Sequence, residues 1–360
     1  MNRILFKTAL LVSAGLMLAG CEKLVHEYYD TPLPPADLTG QINQAGDSCS
    51  EFGWSLDGNS IVYTDGISFV KKIDLSSGTI STLASHNGSG YFAYISPCMT
   101  NDAVYYGTSA GEIRKVHPPD TNSILLRQIT SQFFNTVNTI ITSDNGGLIA
   151  FSLTVGASVF ILDSTGALLH TVTTGDPCSP ACFSSDNKTL YISNCSNSNQ
   201  YMNFTSVVAY SLQSSSITPV ASVVQPSYNN FWDVSLDSNG VHVVVKQDNQ
   251  LILRNVTRGD SSIILTLAAT NWSFDQSHLP DIICADFSSR ANSFVIALYE
   301  AQEAYSGCNC SIDTWRATSI SASTGHETAS YSARIPITGV SFAPDGRNLA
   351  FIAGGRIFVK

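Results

Sequence analysis

Apolar residues along this chain recur in short runs rather than in helical stripes. Ile61-Val62-Tyr63, Leu148 to Phe151, Val241 to Val245 and Phe294 to Leu298 are rich in Val, Ile, Tyr and Phe. Such segments alternate with polar positions or stay apolar over four to eight residues, the patterns of half-buried and fully buried strands. Between them stand Asp-Gly, Asn-Gly and Ser/Asn clusters, which supply the positive φ of tight hairpins. No amphipathic helix of ordinary length follows the N-terminal stretch. The pattern predicts an all-β chain.

The strand signals repeat. Residues 52–83 read as strand, Asp57-Gly58 turn, strand, short turn, strand. Residues 338–359 give the same unit: Trp54 to Asn59 aligns with Ser341 to Arg347, and Ile61-Val62-Tyr63 with Leu349-Ala350-Phe351. Weaker copies lie between, each with a polar turn near positions 101, 145, 186, 238 and 291. With 57 and 345 at the ends, the steps are 44, 44, 41, 52, 53 and 54 residues. That is the period of a four-stranded propeller blade. A pair of sandwich domains also gives many short strands, but it does not explain a Ser-x-Asp-Gly turn at a fixed period. The expectation is a seven-bladed β-propeller of four-stranded antiparallel blades over residues 37–360; six or eight blades also fit the spacing. The longer later steps imply loop insertions, at Asn194 to Asn203 and at 299–316. The last repeat ends after its third strand. A segment around Asp37 to Asn43 is therefore expected to add the outer strand of that blade, since an open ring leaves unpaired edges.

The first twenty residues read differently. Arg3 and Lys7 precede an uncharged apolar stretch, Ala9 to Leu18. Ten residues at ~1.5 Å each cannot cross a core ~30 Å thick, so residues 1–20 read as a signal peptide. Leu18-Ala19-Gly20-Cys21 ends the stretch with small residues and a thiol. Pro32, Pro34 and Pro35 make residues 21–36 an extended tether.

Composition narrows the reading. Charged residues are only 13% of 360, with Lys and Arg at 18 and Asp and Glu at 28. Removing Arg3 and Lys7 leaves 16 cations against 28 carboxylates, a balance of −12. No basic stripe is present to neutralise phosphates, so nucleic acid is not an expected partner. Anionic lipid would repel such a chain, which places membrane attachment on acyl chains at Cys21.

Two resemblances follow from these residues. Leu18-Ala19-Gly20-Cys21 resembles the lipobox of bacterial lipoproteins, which implies that Cys21 is acylated and becomes the first residue. In a Gram-negative cell Glu22 in place of Asp favours the outer membrane, on its periplasmic face or at the surface. Ser341 to Phe351 and Trp54 to Tyr63 look like the WD40-like repeat of TolB-type bacterial propellers. The match is strong in these two repeats and degenerate in the others. The α/β domain that precedes the propeller in TolB proteins has no counterpart here, so a TolB role does not transfer. Nor does a peptidase role, because the hydrolase domain that accompanies such propellers is missing.

Candidate chemistry is sparse. Gly107-Thr108-Ser109-Ala110-Gly111 fits G-x-S-x-G, but a strand pattern follows it where a nucleophile elbow needs a helix, so it reads as a hairpin turn. Asp144-Asn145-Gly146 and Asp237-Ser238-Asn239-Gly240 resemble the start of a calcium loop without its terminal Glu, and both fall at repeat turns. The seven histidines show no metal-ligand spacing. No catalytic, cofactor or metal residues are assigned.

Beyond Cys21, eight cysteines remain: Cys49, Cys98, Cys178, Cys182, Cys195, Cys284, Cys308 and Cys310. An even count in an exported chain points to disulfides. Local spacing suggests Cys178 or Cys182 with Cys195, Cys284 with Cys308 or Cys310, and Cys49 with Cys98. Tyr201, Tyr228, Trp272, Tyr305 and Trp315 are candidate binding-face aromatics, since insertions in repeat proteins often line the binding face. Together these features predict a lipid-anchored envelope propeller acting as a non-catalytic protein–protein scaffold. The alternatives are a carbohydrate- or small-ligand-binding propeller, and a lyase or hydrolase whose site gathers residues from several blades. A broad apolar patch would favour a protein partner; a polar pocket converging on the central channel would favour a ligand or an enzyme.

Overall fold

Four hairpin-linked strands per repeat is the arrangement found. The computed structural model describes residue 49 and residues 52–359, except 66–68, 86–97, 101, 130–135, 144, 154–155, 199–200, 223–231, 238–239, 248–249, 256–259, 267–280, 289–290, 304–310, 322, 325–326 and 334–335. The first sheet holds β1 (Phe52–Trp54), β2 (Ser60–Asp65), β3 (Phe69–Asp74) and β4 (Ile80–Ser85). The second holds β5 (Cys98–Met99), β6 (Val104–Gly107), β7 (Glu112–Val116) and β8 (Ile124–Gln128). The third holds β9 (Val137–Thr142), β10 (Leu148–Leu153), β11 (Ser158–Asp163) and β12 (Leu168–Thr173). The fourth holds β13 (Cys178–Phe183), β14 (Thr189–Ser198), β15 (Tyr201–Ser211) and β16 (Ile217–Ser222). The fifth holds β17 (Trp232–Asp237), β18 (Gly240–Gln247), β19 (Gln250–Asn255) and β20 (Asp260–Thr266). The sixth holds β21 (Asp281–Ser288), β22 (Ser293–Glu303), β23 (Ser311–Ser321) and β24 (Glu327–Ala333). The seventh has three strands: β25 (Ile337–Phe342), β26 (Leu349–Ala353) and β27 (Arg356–Val359). Every pairing within these sheets is antiparallel and between chain neighbours. No helix occurs among the described residues.

Burial explains the sequence pattern strand by strand. The second strands are buried along nearly their whole length, as in Ser60–Asp65 and Leu349–Ala353. They read as continuous apolar runs because a neighbouring sheet covers each face. Third strands alternate, as Glu112–Val116 does, and outer strands such as Ile124–Gln128 are largely open.

The sheets pack on one another in chain order. Val62 and Val70 of the first meet Met99 and Tyr106 of the second. Tyr105 and Ile113 meet Ile140 and Phe151 of the third. Ala150 and Ile161 meet Leu190 and Tyr210 of the fourth. Val295 and Ala317 of the sixth meet Phe351 and Phe358 of the seventh. The first strands β9, β13, β17, β21 and β25 touch successively. The seventh sheet then shares a hydrophobic cluster with the first, where Ala350, Ile352 and Ile357 pack with Ile61, Tyr63 and Ile73. The chain is all-β, built from repeated antiparallel four-stranded sheets in a propeller-like order.

Two expectations change in detail. The Asn194–Asn203 and 299–316 stretches are not simple loop insertions. They prolong hairpins: Ser198 pairs with Tyr201, and Glu303 with Ser311. Alternating Asn, Ser, Tyr and Phe suits an extended pair open to water. The Asp37 to Asn43 segment lies outside the described residues. The Cys49 N–H donates to the Gly355 carbonyl, 3.1 Å away, at the β26–β27 turn.

Candidate functional site

The repeated Ser-x-Asp-Gly turn is a self-contained polar unit. Between β1 and β2 the Ser55 hydroxyl donates to Asp57 Oδ1 at 2.6 Å and accepts the Ser60 N–H at 2.9 Å. Asp57 Oδ1 also accepts the Asn59 N–H at 3.0 Å. Ser143 with Asn145 and Ser184 with Asp186 make the same bonds in the third and fourth sheets. Gly58, Gly146 and Gly346 take the positive φ, and Asn187 takes it in the fourth sheet. Hydrogen bonds from Ser55 and Asn59 hold the Asp57 carboxyl below its usual value, and those from Ser184 and Lys188 do so for Asp186. These side-chain oxygens are engaged within their own turns. Asp144, Ser238 and Asn239 lie outside the described residues, and among those described no cluster of His, Cys, Asp or Glu could hold a metal ion.

A second turn also repeats, between third and fourth strands, and sequence reading missed it. Asp74 Oδ1 accepts the N–H and hydroxyl of both Ser76 and Ser77. Asp163 Oδ1 accepts from Thr165 and from the Ala167 N–H. Side-chain hydrogen bonds from Ser76 lead in pulling the Asp74 carboxyl down to about 2, and Thr165 leads in lowering Asp163. The available signal was the Asp-x-Ser/Thr run after an apolar strand.

Gly107 to Gly111 is the β6–β7 hairpin: Thr108 N–H reaches the Glu112 carbonyl at 3.0 Å, and Gly111 N–H the Thr108 carbonyl at 3.1 Å. Ser109 sits half-exposed at its tip. On the first strands one acid bridges two sheets. Asp286 Oδ2 accepts the Phe342 N–H at 2.7 Å and the Ser341 hydroxyl at 3.0 Å. Burial pushes its carboxyl up, against the hydrogen bonds it receives.

Cys178 is buried on β13, a free thiol 3.9 Å from the Gly156 carbonyl, with its pKa pushed up by burial. Such a thiol is a poor nucleophile. The register sets Cys178 opposite Asn194 and Cys182 opposite Tyr191. Cys195 is then four residues beyond the position facing Cys182, ~13 Å along the strand at ~3.3 Å per residue. A bridge needs Cα atoms within ~7 Å, so the Cys182–Cys195 pairing is out of reach. Cys49 is buried between the first and seventh sheets. Cys98 lies on β5 opposite Tyr105, and Cys284 on β21 opposite Ala297. Cys21, Cys308 and Cys310 lie outside the described residues.

Of the candidate aromatics, Trp315 is half-buried, its ring 4.6 Å from that of Tyr299, and it packs on the cluster between the sixth and seventh sheets. Tyr201 opens β15, across from Ser198. Tyr228, Trp272 and Tyr305 lie outside the described residues.

The wall formed by the outer strands carries what the sequence did not flag. Ile124 and Leu125 on β8, Leu168 and Leu169 on β12, and Ile217 on β16 are 39 to 55% exposed. Each group opens the fourth strand of its sheet, and Ile80 opens β4 likewise. The fifth and sixth sheets open their fourth strands with Asp260 and Glu327. The strands β4, β8, β12 and β16 contain no carboxylate. One sector of the molecule is thus aliphatic where the next is charged. The Gly166 turn before β12 lies against the Leu126 backbone of β8, so these outer strands are neighbours across sheets. In comparison with known proteins, the chain matches no family model and no curated relative.

Proposed function

We propose that the chain is a closed seven-bladed propeller resembling the TolB type, exported and held at the bacterial envelope by acyl chains on Cys21, where it serves as a non-catalytic scaffold for a protein partner. The cluster shared by the first and seventh sheets supports closure. The lipobox-like Leu18 to Cys21 supports the anchor.

The observation that carries the scaffold reading is the aliphatic row on β8, β12 and β16. Isolated exposed aliphatics are ordinary, but the same strand position in consecutive sheets gives a patterned patch, and such patches mark protein interfaces. Edge strands exposed to water are commonly protected by charge. Here the charge is withheld along one sector.

The test is crosslinking and pull-down from envelopes that carry the lipidated protein. Wild type is compared with Ile124→Ser/Leu169→Ser/Ile217→Ser. The expected result is a partner recovered with wild type and lost with the variant, while both stay in the membrane fraction. Equal recovery from both, or glycan binding with no protein partner, would overturn the scaffold reading.

A further inference from the structure

A cleft of about 330 Å³ opens between the outer parts of the first and second sheets. Lys72 and Asp74 of β3, Thr79 before β4, and Ser81, Thr82 and Leu83 of β4 form one wall. Pro118 and Pro119 form the other. They belong to the 117–123 connection from β7 to β8, seven residues long where the other third-to-fourth strand connections have four or five. The departure from the repeat is what builds the cleft. Extra length in one repeat is where binding surfaces are commonly placed.

The lining has a definite chemistry. The Asp74 carboxylate is engaged by four hydrogen bonds from Ser76 and Ser77. Thr79 accepts the Ser77 hydroxyl at 2.9 Å. Lys71 on the same strand pairs with Asp65. Lys72, in contrast, has no carboxylate of a described residue within ion-pair distance. The cleft therefore presents one ammonium, three hydroxyls from Thr79, Ser81 and Thr82, and apolar surface from Leu83 and two prolines. Hydroxyls both donate and accept, which matches a polyol. The ammonium matches a carboxylate by a charge-assisted bond. The proline faces suit the C–H face of a sugar ring. The volume is that of a small-ligand site.

We propose that this cleft binds a carboxylate-bearing sugar, with Lys72 on the carboxylate and Ser81 and Thr82 on ring hydroxyls. The site is separate from the aliphatic row, and its failure would leave the scaffold reading standing.

The probe is D-glucuronate, titrated into the full-length protein in detergent and followed by saturation-transfer NMR. Saturable binding is expected, about tenfold tighter than glucose, and it should weaken as salt screens the pair between about 20 and 300 mM. Lys72→Ala should lower affinity about tenfold, Thr82→Val a few-fold, and Lys72→Arg should retain most of it. The wild-type comparison of glucuronate with glucose decides the matter even where a variant folds poorly. No saturable binding up to about 50 mM, well above the millimolar Kd of a weak site, would overturn the proposal. So would equal affinity for glucose, or an unchanged affinity in a folded Lys72→Ala protein.

Discussion

Ser55 shows how a single side chain sets a repeat. Its hydroxyl links Asp57 to the Ser60 N–H, and the residue is almost fully buried. The seventh sheet has Ala343 at this position and still closes its turn, through Ala343 N–H to Asn348 O and Gly346 N–H to Ala343 O, both 2.8 Å. Ser55→Ala should therefore cost about 1–2 kcal/mol in urea unfolding, the worth of one or two hydrogen bonds, with the fold kept. Loss of folding would show that the hydroxyl does more than close the turn. The turn carboxylates also fix the acid limb of stability. Asp57, Asp74, Asp163 and Asp186 all lie below the ordinary carboxylate value, Asp74 at about 2. The unfolded chain then binds more protons than the folded one below about pH 4, so this stabilisation is present above that pH and is lost as pH falls toward 2. Asp286 acts with the opposite sign: its raised pKa favours the fold below about pH 4, and that contribution is lost as pH rises through the folded value. Melting temperature should fall between about pH 4 and 2, and Asp74→Asn/Asp163→Asn should flatten that fall. An unaltered slope would contradict the assignment.

At the scale of elements, close approach matters as much as propensity. Gly107 ends β6 where a Cβ would stand 2.3 Å from Val137 Cγ1 at the start of β9. Gly107→Ala should cost about 3 kcal/mol, the upper end of overpacking in a tight interior. A wild-type-like melting curve would mean that these strands can part. Local pattern made the second strands and their Asp-Gly turns legible, because their apolar runs and turn residues are contiguous in sequence. The long β14–β15 and β22–β23 hairpins were less so, since Asn, Ser and Gln read as loop when no partner strand is visible. Register decides cysteine reach, which is why spacing alone could bring Cys182 and Cys195 together and the β13–β14 pairing separates them. The aliphatic row recurs once per repeat, at Ile80, Ile124, Leu168 and Ile217, too sparsely for any local periodicity to reveal it. The Lys72 cleft joins residues of two sheets and was legible only as a longer connection.

For the whole molecule, the sheets follow one another with shared cores, and the first and seventh meet. A chain with a net charge of −10 keeps carboxylates off four outer strands in one sector. That asymmetry gives an anchored scaffold a defined face. A photo-activated crosslinking residue placed at position 169, and at 327 as a control, tests it directly in envelopes with the lipidated protein. The account predicts a discrete protein adduct from 169 and none from 327. Equal labelling from both positions, or no protein adduct from 169, would contradict it.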